Sequence, residues 1–296
     1  MEKLFERTEM IISRTPVRIS FVGGGTDLKC FYSQHGGAVV NAAIDKYVYV
    51  QVMEKFIPKP ETNQFVVEAM KLVGVENVSV VISSDLPGES GLGSSGAVVV
   101  GLLNALYKYK GVKVSSERLA EEAYFLESEV LGYPVGKQDQ YIAAFGGCRK
   151  WKISRAGCME AEQVAVDSER LHLFYIGKTR QAQSILKEQV ANVEKITPHL
   201  IAVRDLALGF SPMSFGLALS QGWEHKKQFA SGVTTPEIDR LYDIGMTESN
   251  GGKLIGAGGG GFLLFHSYFT DALQVELGLP EVKFKISHNG SEIIWM

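Results

Sequence analysis

A glycine- and serine-rich segment, residues 87–96, constrains the fold of this chain more than any other stretch. It reads PGESGLGSSG and leads directly into an apolar run over residues 97–106. The preceding residues, 78–83, are rich in β-branched side chains and predict a strand. Glycines let the backbone turn tightly and let an anion approach, and the two serines can cap the following helix. The order strand, glycine loop, helix therefore predicts a phosphate site at a helix N terminus.

This loop differs from the standard Walker motif. Gly88 and Gly93 have the GxxxxG spacing, but Ser94 stands where the motif requires lysine, and Ser95 fills its Ser/Thr position. A tight structural turn before a core helix is the alternative interpretation. Residues 256–261 match the dinucleotide pattern GxGxxG, yet strand-like residues follow where a dinucleotide fold requires a helix. The sequence therefore argues against a Rossmann site.

Composition narrows the classes of function. The chain has 296 residues, enough for one large or two ordinary domains. We expect two, 1–167 and 168–296, because the pattern weakens into short strands and turns over residues 148–168. Its net charge of −3 comes without a basic block, so we expect neither nucleic acid nor an anionic membrane as a partner. Cys30, Cys148 and Cys158 lack CxxC spacing, which argues against a disulfide framework and a zinc site. With no apolar stretch of bilayer length, we expect a cytoplasmic protein acting on a small molecule.

Three carboxylates are candidates for chemistry, and each has a plainer alternative. Asp27 follows a run of three glycines and could be a simple turn residue. Glu127 ends a predicted helix with several acidic residues, which is also typical of a solvated face. Asp139 opens a short predicted helix, where it could be an N-cap. It could equally be a carboxylate beside a cation, Arg18 or Lys137, that accepts a hydroxyl proton.

Two basic residues follow a strand predicted over residues 171–176. Lys178 and Arg180 lie just before a helical run over residues 182–194. In that place they could bind an anionic substrate, and a solvated surface position is the alternative.

With these motifs, the sequence resembles the GHMP kinases, the superfamily named for galactokinase, homoserine kinase, mevalonate kinase and phosphomevalonate kinase. Three segments carry the resemblance, which spans nearly the whole chain: residues 15–27 (TPVRISFVGGGTD), 87–95, and 253–262 (KLIGAGGGGF). Residues 37–47 and 136–140, together with the GGGTD and GAGGGGF stretches, look most like the D-glycero-D-manno-heptose 7-phosphate kinases.

The resemblance implies an α+β, two-domain architecture. The N-terminal nucleotide-binding domain would be ribosomal protein S5 domain 2-like and the C-terminal domain ferredoxin-like, with the ligands in the cleft between them. The implied activity is that of an ATP- and Mg²⁺-dependent kinase, which transfers the γ-phosphoryl group to the C1 hydroxyl of D-glycero-D-manno-heptose 7-phosphate. A kinase of another sugar such as fucose or galactose, or a catalytically silent sugar-binding relative, is the alternative. The sequence leaves the oligomeric state open.

The resemblance also assigns roles to residues. Asp139 matches a catalytic base with Arg18 beside it, and Ser95 and Glu127 match the positions that hold Mg²⁺. The implied ATP-binding residues are Pro87, Gly88, Gly91, Leu92, Gly93, Ser94 and Ser95. The implied substrate contacts are Gly24, Gly25, Thr26, Asp27, Gly258 and Gly259, together with Lys178 and Arg180.

Overall fold

The computed structural model describes residues 10–55, 60–88, 90–177 and 182–296. Within these ranges, six strands form the larger sheet: β1 (Ile11–Val22), β2 (Gly37–Glu54), β3 (Val78–Ser84), β4 (Cys148–Ile153), β5 (Met159–Gln163) and β9 (Glu292–Trp295). They pair antiparallel in the order β5, β4, β2, β1, β9, and β3 pairs with the second half of β2. The long strand β2 therefore joins the two halves of the sheet.

A smaller antiparallel sheet comes from the C-terminal part of the chain. Its strands are β6 (Leu171–Tyr175), β7 (Gly251–Leu254) and β8 (Phe262–His266), with β8 in the middle. Two antiparallel sheets with segregated helices confirm the predicted α+β class. The domain ranges 1–167 and 168–296 stay a prediction, and β9, near the end of the chain, pairs with β1 of the larger sheet.

The described residues form ten α-helices. The first five are α1 (Lys29–His35), α2 (Gln64–Val73), α3 (Ser94–Tyr109), α4 (Ser116–Phe125) and α5 (Gln138–Phe145). The second five are α6 (Ala182–Ala191), α7 (Val193–Leu208), α8 (Phe215–Lys226), α9 (Pro236–Met246) and α10 (Thr270–Leu277). In the described part of the chain, none of these helices is long and apolar enough to cross a bilayer.

Helix α3 is the central helix of the larger core, as its apolar sequence predicts. It is apolar on most of its sides, and Val99, Leu102 and Leu103 have no solvent exposure. The helix packs against β1 and β2, and Gly101 lets it approach the strand closely, since a Cβ there would lie 2.6 Å from Thr15 Oγ1. Packing along its whole length therefore fixes the position of its N terminus.

A second apolar cluster lies on the smaller sheet. It gathers Phe174 and Phe265 from the strands with Trp223 from α8, all without solvent exposure. Gly245 on α9 makes room for the ring of Phe265, because a Cβ would lie 2.2 Å from Phe265 Cζ. This cluster holds α8 and α9 against the strand pair that leads into residues 256–261.

The glycine segments at 87–96 and 256–261 touch each other through their backbones. A Cβ on Gly91 would lie 2.8 Å from the Ile255 carbonyl oxygen, and one on Gly256 would lie 2.3 Å from Gly91 Cα. Both residues also have positive φ, +88° and +80°, which favours glycine. The fold thus brings two sequence motifs, more than 150 residues apart, into direct contact.

Candidate active site

The loop at residues 87–93 delivers a helix N terminus with free amides. Gly93 is the N-cap of α3 in the left-handed conformation, with φ +68°, and no side-chain cap hydrogen bond forms among the described residues. The expectation that a serine caps α3 is therefore wrong, because Ser94 and Ser95 are already inside its first turn. The first amides of an α-helix have no intrahelical acceptor, so this end remains available to an anion.

Other residues of the loop have separate positions. Pro87 and Gly88 are exposed where it begins. Leu92 is buried, and its carbonyl accepts a hydrogen bond from the Arg18 amide at 2.9 Å, which ties the loop to β1. Among the residues implied to bind ATP, the structure therefore brings Gly93, Ser94 and Ser95 to the open helix end.

Glu127 is buried and faces Ser95. After α4, the chain forms a π-helical turn, Leu126–Val130. Glu127 lies in this turn and has no solvent exposure. Ser95 Oγ donates to Glu127 Oε1, and Gln140 Nε2 donates to Oε2 at 2.6 Å. Burial raises the pKa of Glu127 to about 7, although both hydrogen bonds act in the opposite direction. The solvated-face alternative is therefore wrong for this residue, and π-turns are frequent at functional sites.

Asp139 forms a bidentate ion pair with Arg18. Arg18 Nε donates to Asp139 Oδ1 at 2.7 Å and Nη2 donates to Oδ2 at 2.8 Å, while Nη1 donates to the Gly91 carbonyl. The N-cap of α5 is Lys137, so Asp139 is not a capping residue. Lys137 instead pairs with Glu121 at 2.7 Å, which leaves Arg18 as the cation beside Asp139. The ion pair links β1, α5 and the glycine loop at one point.

Asp139 also lies against the first turn of α3. A Cβ on Gly96 would lie 2.9 Å from Asp139 Cβ, so only a glycine allows this approach. Asp139 and Glu127 are close enough that the charge of Asp139 contributes to the raised pKa of Glu127. The open helix end, the buried carboxylate and the ion pair therefore form one site.

Asp27 lies at the adjacent edge of this site and is 2% exposed. Its carboxylate accepts from the Gly25 amide at 3.0 Å, from the Gln138 amide at 3.1 Å and from Gln138 Nε2 at 3.2 Å. Burial raises its pKa, with the Gln138 amide acting against the shift. Thr26 is fully buried, and its hydroxyl lies 2.8 Å from the carbonyl oxygens of Gly23 and Ala38, which shapes the loop.

The third glycine segment packs on the turn after α8. The Gly259 amide donates to the Val233 carbonyl at 2.9 Å, and a Cβ on Gly258 would lie 2.6 Å from Val233 Cα. Gly258 and Gly259, the two implied substrate contacts of this segment, therefore both lie against the backbone of Val233. Lys178 and Arg180, the implied phosphate contacts, lie outside the described residues.

Two buried lysines behind this segment are residues that the sequence analysis missed. Lys226 Nζ donates to the carbonyls of Leu254, at 2.9 Å, and Gly256, and Lys253 Nζ donates to those of Ser20 and Phe21 at 3.0 and 2.7 Å. In the described ranges neither pairs with a carboxylate. Burial lowers the pKa of Lys253 to about 7 and that of Lys226 well below its usual value, and nearby cations add to both effects.

These lysines fasten the glycine segment to the rest of the protein. Lys253 joins β7 to β1 just before the GGGTD turn, and Lys226 holds the backbone on both sides of Ile255. Lys253 lies inside the third motif, but its partners are more than 200 positions away in the sequence. The residues around Lys226 form no motif that would predict its contact with Gly256.

The Glu127 carboxylate and the Ser95 hydroxyl fit a Mg²⁺ ion in their chemistry. Mg²⁺ takes oxygen ligands and usually one or two carboxylates, with substrate phosphates and waters completing its shell. Glu127 is buried between uncharged partners, Ser95 and Gln140, so a cation would offset the charge that burial opposes. Among the described residues no cluster of three or more His, Cys, Asp or Glu could hold a metal. A metal here would therefore depend on bound phosphates.

Comparisons with known proteins identify proteins to which this chain is similar. Residues 63–147, which include the glycine loop, Glu127 and Asp139, match the model of the GHMP kinases N terminal domain. The chain is 26% identical to D-glycero-alpha-D-manno-heptose 7-phosphate kinase of Campylobacter jejuni, over 86% of this chain and 88% of that protein.

Solved structures show the same fold. A D-glycero-D-manno-heptose 1-phosphate kinase from Bacteroides thetaiotaomicron superposes with a TM-score of 0.71 at 21% identity, covering 97% of this chain and 99% of that one. Streptococcus pneumoniae phosphomevalonate kinase, in complex with phosphomevalonate and AMPPNP, superposes with a TM-score of 0.75 at 14% identity, covering 94% and 100%. The resemblance seen in the sequence is thus confirmed: residues 63–147 match the N-terminal domain of the GHMP kinases, and the chain has the same fold as the kinase structures on which it superposes.

Proposed function

We propose that this protein is an ATP-dependent sugar kinase, which transfers the γ-phosphoryl group to the C1 hydroxyl of D-glycero-D-manno-heptose 7-phosphate. The observation that carries the proposal is the contact between the open N terminus of α3 and two carboxylates, Glu127 and Asp139. The similarity to the heptose 7-phosphate kinase of Campylobacter jejuni supports the choice of sugar.

The amides at the start of α3 would bind the ATP phosphates. Phosphoryl transfer passes through a loose transition state in which charge is spread over the transferred group, so positioning and electrostatic stabilisation dominate catalysis. The amides of Ser94, Ser95 and Gly96 point out of the helix end, where the helix dipole favours negative charge. This end would hold the β- and γ-phosphates without the lysine of a Walker loop.

Ser95 and Glu127 would hold Mg²⁺ beside those phosphates. When bound, the metal would neutralise part of the charge on the phosphate oxygens. The protein contributes a hydroxyl and a carboxylate that already face each other, and Gln140 fixes the second carboxylate oxygen at 2.6 Å.

Asp139 would accept the proton of the attacking hydroxyl. Its bidentate contact with Arg18 fixes the carboxylate plane, and the free lone pairs can still receive a proton. An anomeric hydroxyl is more acidic than an ordinary alcohol, so the transfer can come late and part of the role is orientation. Asp27, at the adjacent edge, would bind sugar hydroxyls as an acceptor.

A substrate panel tests the proposal. ATP consumption is measured with D-glycero-D-manno-heptose 7-phosphate, D-mannose 6-phosphate, L-fucose and D-galactose, each with Mg²⁺, and the product is located by phosphorus NMR. We expect the highest kcat/KM for the heptose 7-phosphate and phosphorylation at C1. A preference for an unphosphorylated hexose would assign the protein to another sugar kinase, and no turnover with any sugar would reject a kinase.

Asp139→Asn tests the assignment of the base. We expect turnover to fall at least about a hundredfold, because general base catalysis contributes on the order of 10²–10⁴ in rate. Binding of Mg-ATP, measured by calorimetry, should stay close to that of the wild type. Asp243→Asn, at an exposed carboxylate on α9, is the matched control. Near-normal turnover of Asp139→Asn would reject this role.

A further inference from the structure

Three buried side chains surround the Gly24–Gly25 turn with polar atoms that lack hydrogen-bond partners. The atoms are Ser20 Oγ, Gln138 Oε1 and Gln189 Nε2, which find no partner among the described residues. Their residues are only 6%, 9% and 5% exposed. Folded proteins pair most of their buried polar atoms, so three unpaired atoms around one turn require an explanation.

Gln189 is the member of this group that comes from the C-terminal part of the chain. It lies on α6, and its amide occupies the space beside Gly25, where a Cβ would lie 2.5 Å from Gln189 Nε2. Leu200 and Phe229 flank the same position at 3.3 and 3.2 Å from that Cβ. An amide donor is therefore held among apolar groups directly against the turn that precedes Asp27.

The other two atoms belong to side chains beside Gly24. A Cβ on Gly24 would lie 3.3 Å from Ser20 Oγ and 3.5 Å from Gln138 Nε2. Gln138 Nε2 already donates to Asp27, so the oxygen of the same amide is the unpaired atom. The turn is thus surrounded by one free donor, one free acceptor and one hydroxyl, next to a buried carboxylate.

Hydrogen bonds of the neighbouring residue, Glu188, fix the position of α6 relative to the third glycine segment, residues 256–261. Glu188 accepts from the Ser231 amide at 2.8 Å and lies 3.1 Å from its hydroxyl. Two residues later, the Val233 carbonyl accepts from the Gly259 amide. The position of Gln189 is therefore coupled through one short turn to the segment that touches the phosphate loop.

We propose that Gln189 determines sugar specificity by donating a hydrogen bond from Nε2 to a hydroxyl of the bound sugar. Ser20 Oγ and Gln138 Oε1 complete the set of groups that face the same polyhydroxylated ligand. The inference rests on the proposed function, and it assigns to the C-terminal part of the chain a direct contact with the substrate.

Gln189→Met tests this assignment because it keeps the length of the side chain and removes the amide. We expect kcat/KM for D-glycero-D-manno-heptose 7-phosphate to fall about 3- to 10-fold, the range for one lost neutral hydrogen bond, mainly through KM for the sugar. KM for ATP should not change. Gln189→Glu, which replaces the donor by an acceptor, should give a comparable loss, and Gln221→Leu at an exposed position on α8 is the control.

Thermal unfolding separates a binding role from a structural one. Without ligand, Gln189→Met should unfold at the wild-type temperature or above it, since no hydrogen bond is lost, and the rise in melting temperature on adding the sugar phosphate should be smaller. A lower melting temperature with an unchanged KM for the sugar would overturn the inference while leaving the proposed function intact. Wild-type protein that phosphorylates none of the sugars would overturn both.

Discussion

Replacing Glu127 by glutamine should stabilise the metal-free protein and abolish its turnover. The carboxylate is fully buried, and burial raises its pKa from the ordinary 4.5 to about 7. A carboxyl whose pKa is higher in the folded state favours folding below pH 4.5, and this contribution is lost as the pH rises through 7. Above pH 7 the charged form therefore opposes folding by about 3 kcal/mol, at 1.36 kcal/mol per pKa unit.

The surroundings of Glu127 accommodate a neutral amide. Ser95 Oγ can still donate to the amide oxygen of a glutamine at this position. Gln140 now donates from Nε2, while its own Oε1 is buried without a partner among the described residues. Rotation of the Gln140 amide by half a turn would let Oε1 accept from the new NH₂ group. The variant therefore removes a buried charge without leaving a hydrogen bond unmade.

Urea unfolding in EDTA at pH 5 and pH 8 measures this effect. We expect Glu127→Gln to exceed the wild type by about 1 kcal/mol at pH 5 and about 3 kcal/mol at pH 8. Glu129→Gln is the matched control, since Glu129 lies in the same π-turn but is exposed and pairs with Lys29. With Mg-ATP the order should reverse, because the variant lacks the carboxylate that we propose binds the metal. A variant less stable than the wild type at pH 8, or a difference that does not change with pH, would refute the reasoning.

Two glycine substitutions test the close approaches around the site. Gly96→Ala places a methyl group against Asp139, so kcat should fall about tenfold and the protein should be destabilised by about 1–3 kcal/mol. Steady-state kinetics and urea unfolding measure the two effects, and an unchanged kcat would contradict the packing argument. Gly25→Ala forces a non-glycine residue to a φ of +94° and places its Cβ against Gln189. We expect it to destabilise the protein by about 1–3 kcal/mol and to raise KM for the sugar. Unfolding at the wild-type temperature would show that this turn is not constrained.

Local sequence patterns predicted the parts of the site that depend on neighbours along the chain. The strand, the glycine loop and α3 follow one another directly, so β-propensity and an apolar run were sufficient to place them. The helix cap was predicted wrongly because serine is the commoner N-cap, whereas here the turn needs the left-handed conformation that Gly93 adopts. The π-turn that turns Glu127 inward has no comparable pattern in the sequence.

Contacts between residues far apart in the sequence could not be predicted from local sequence patterns. Gln189 is an ordinary polar residue on a short helix, and only the folded chain places its amide beside Gly25. Lys253 binds the backbone of β1 across 232 and 233 positions, so its burial could not be foreseen from its neighbours. Such contacts matter for function because they connect the two sheets that the proposed ligands would lie between.

Three cations lie near the glycine segments, Lys226, Lys253 and Arg18, and each is held by other groups of the protein. Lys226 and Lys253 are both buried and donate to backbone carbonyls, so their amino groups are held by the backbone. Burial also lowers the pKa of each. Arg18 is held by Asp139 and the Gly91 carbonyl. Among the described residues, the groups left to bind the phosphates in the proposed reaction are the amides at the start of α3 and a metal at Ser95 and Glu127. A kinase built this way should lose nearly all activity when Mg²⁺ is removed.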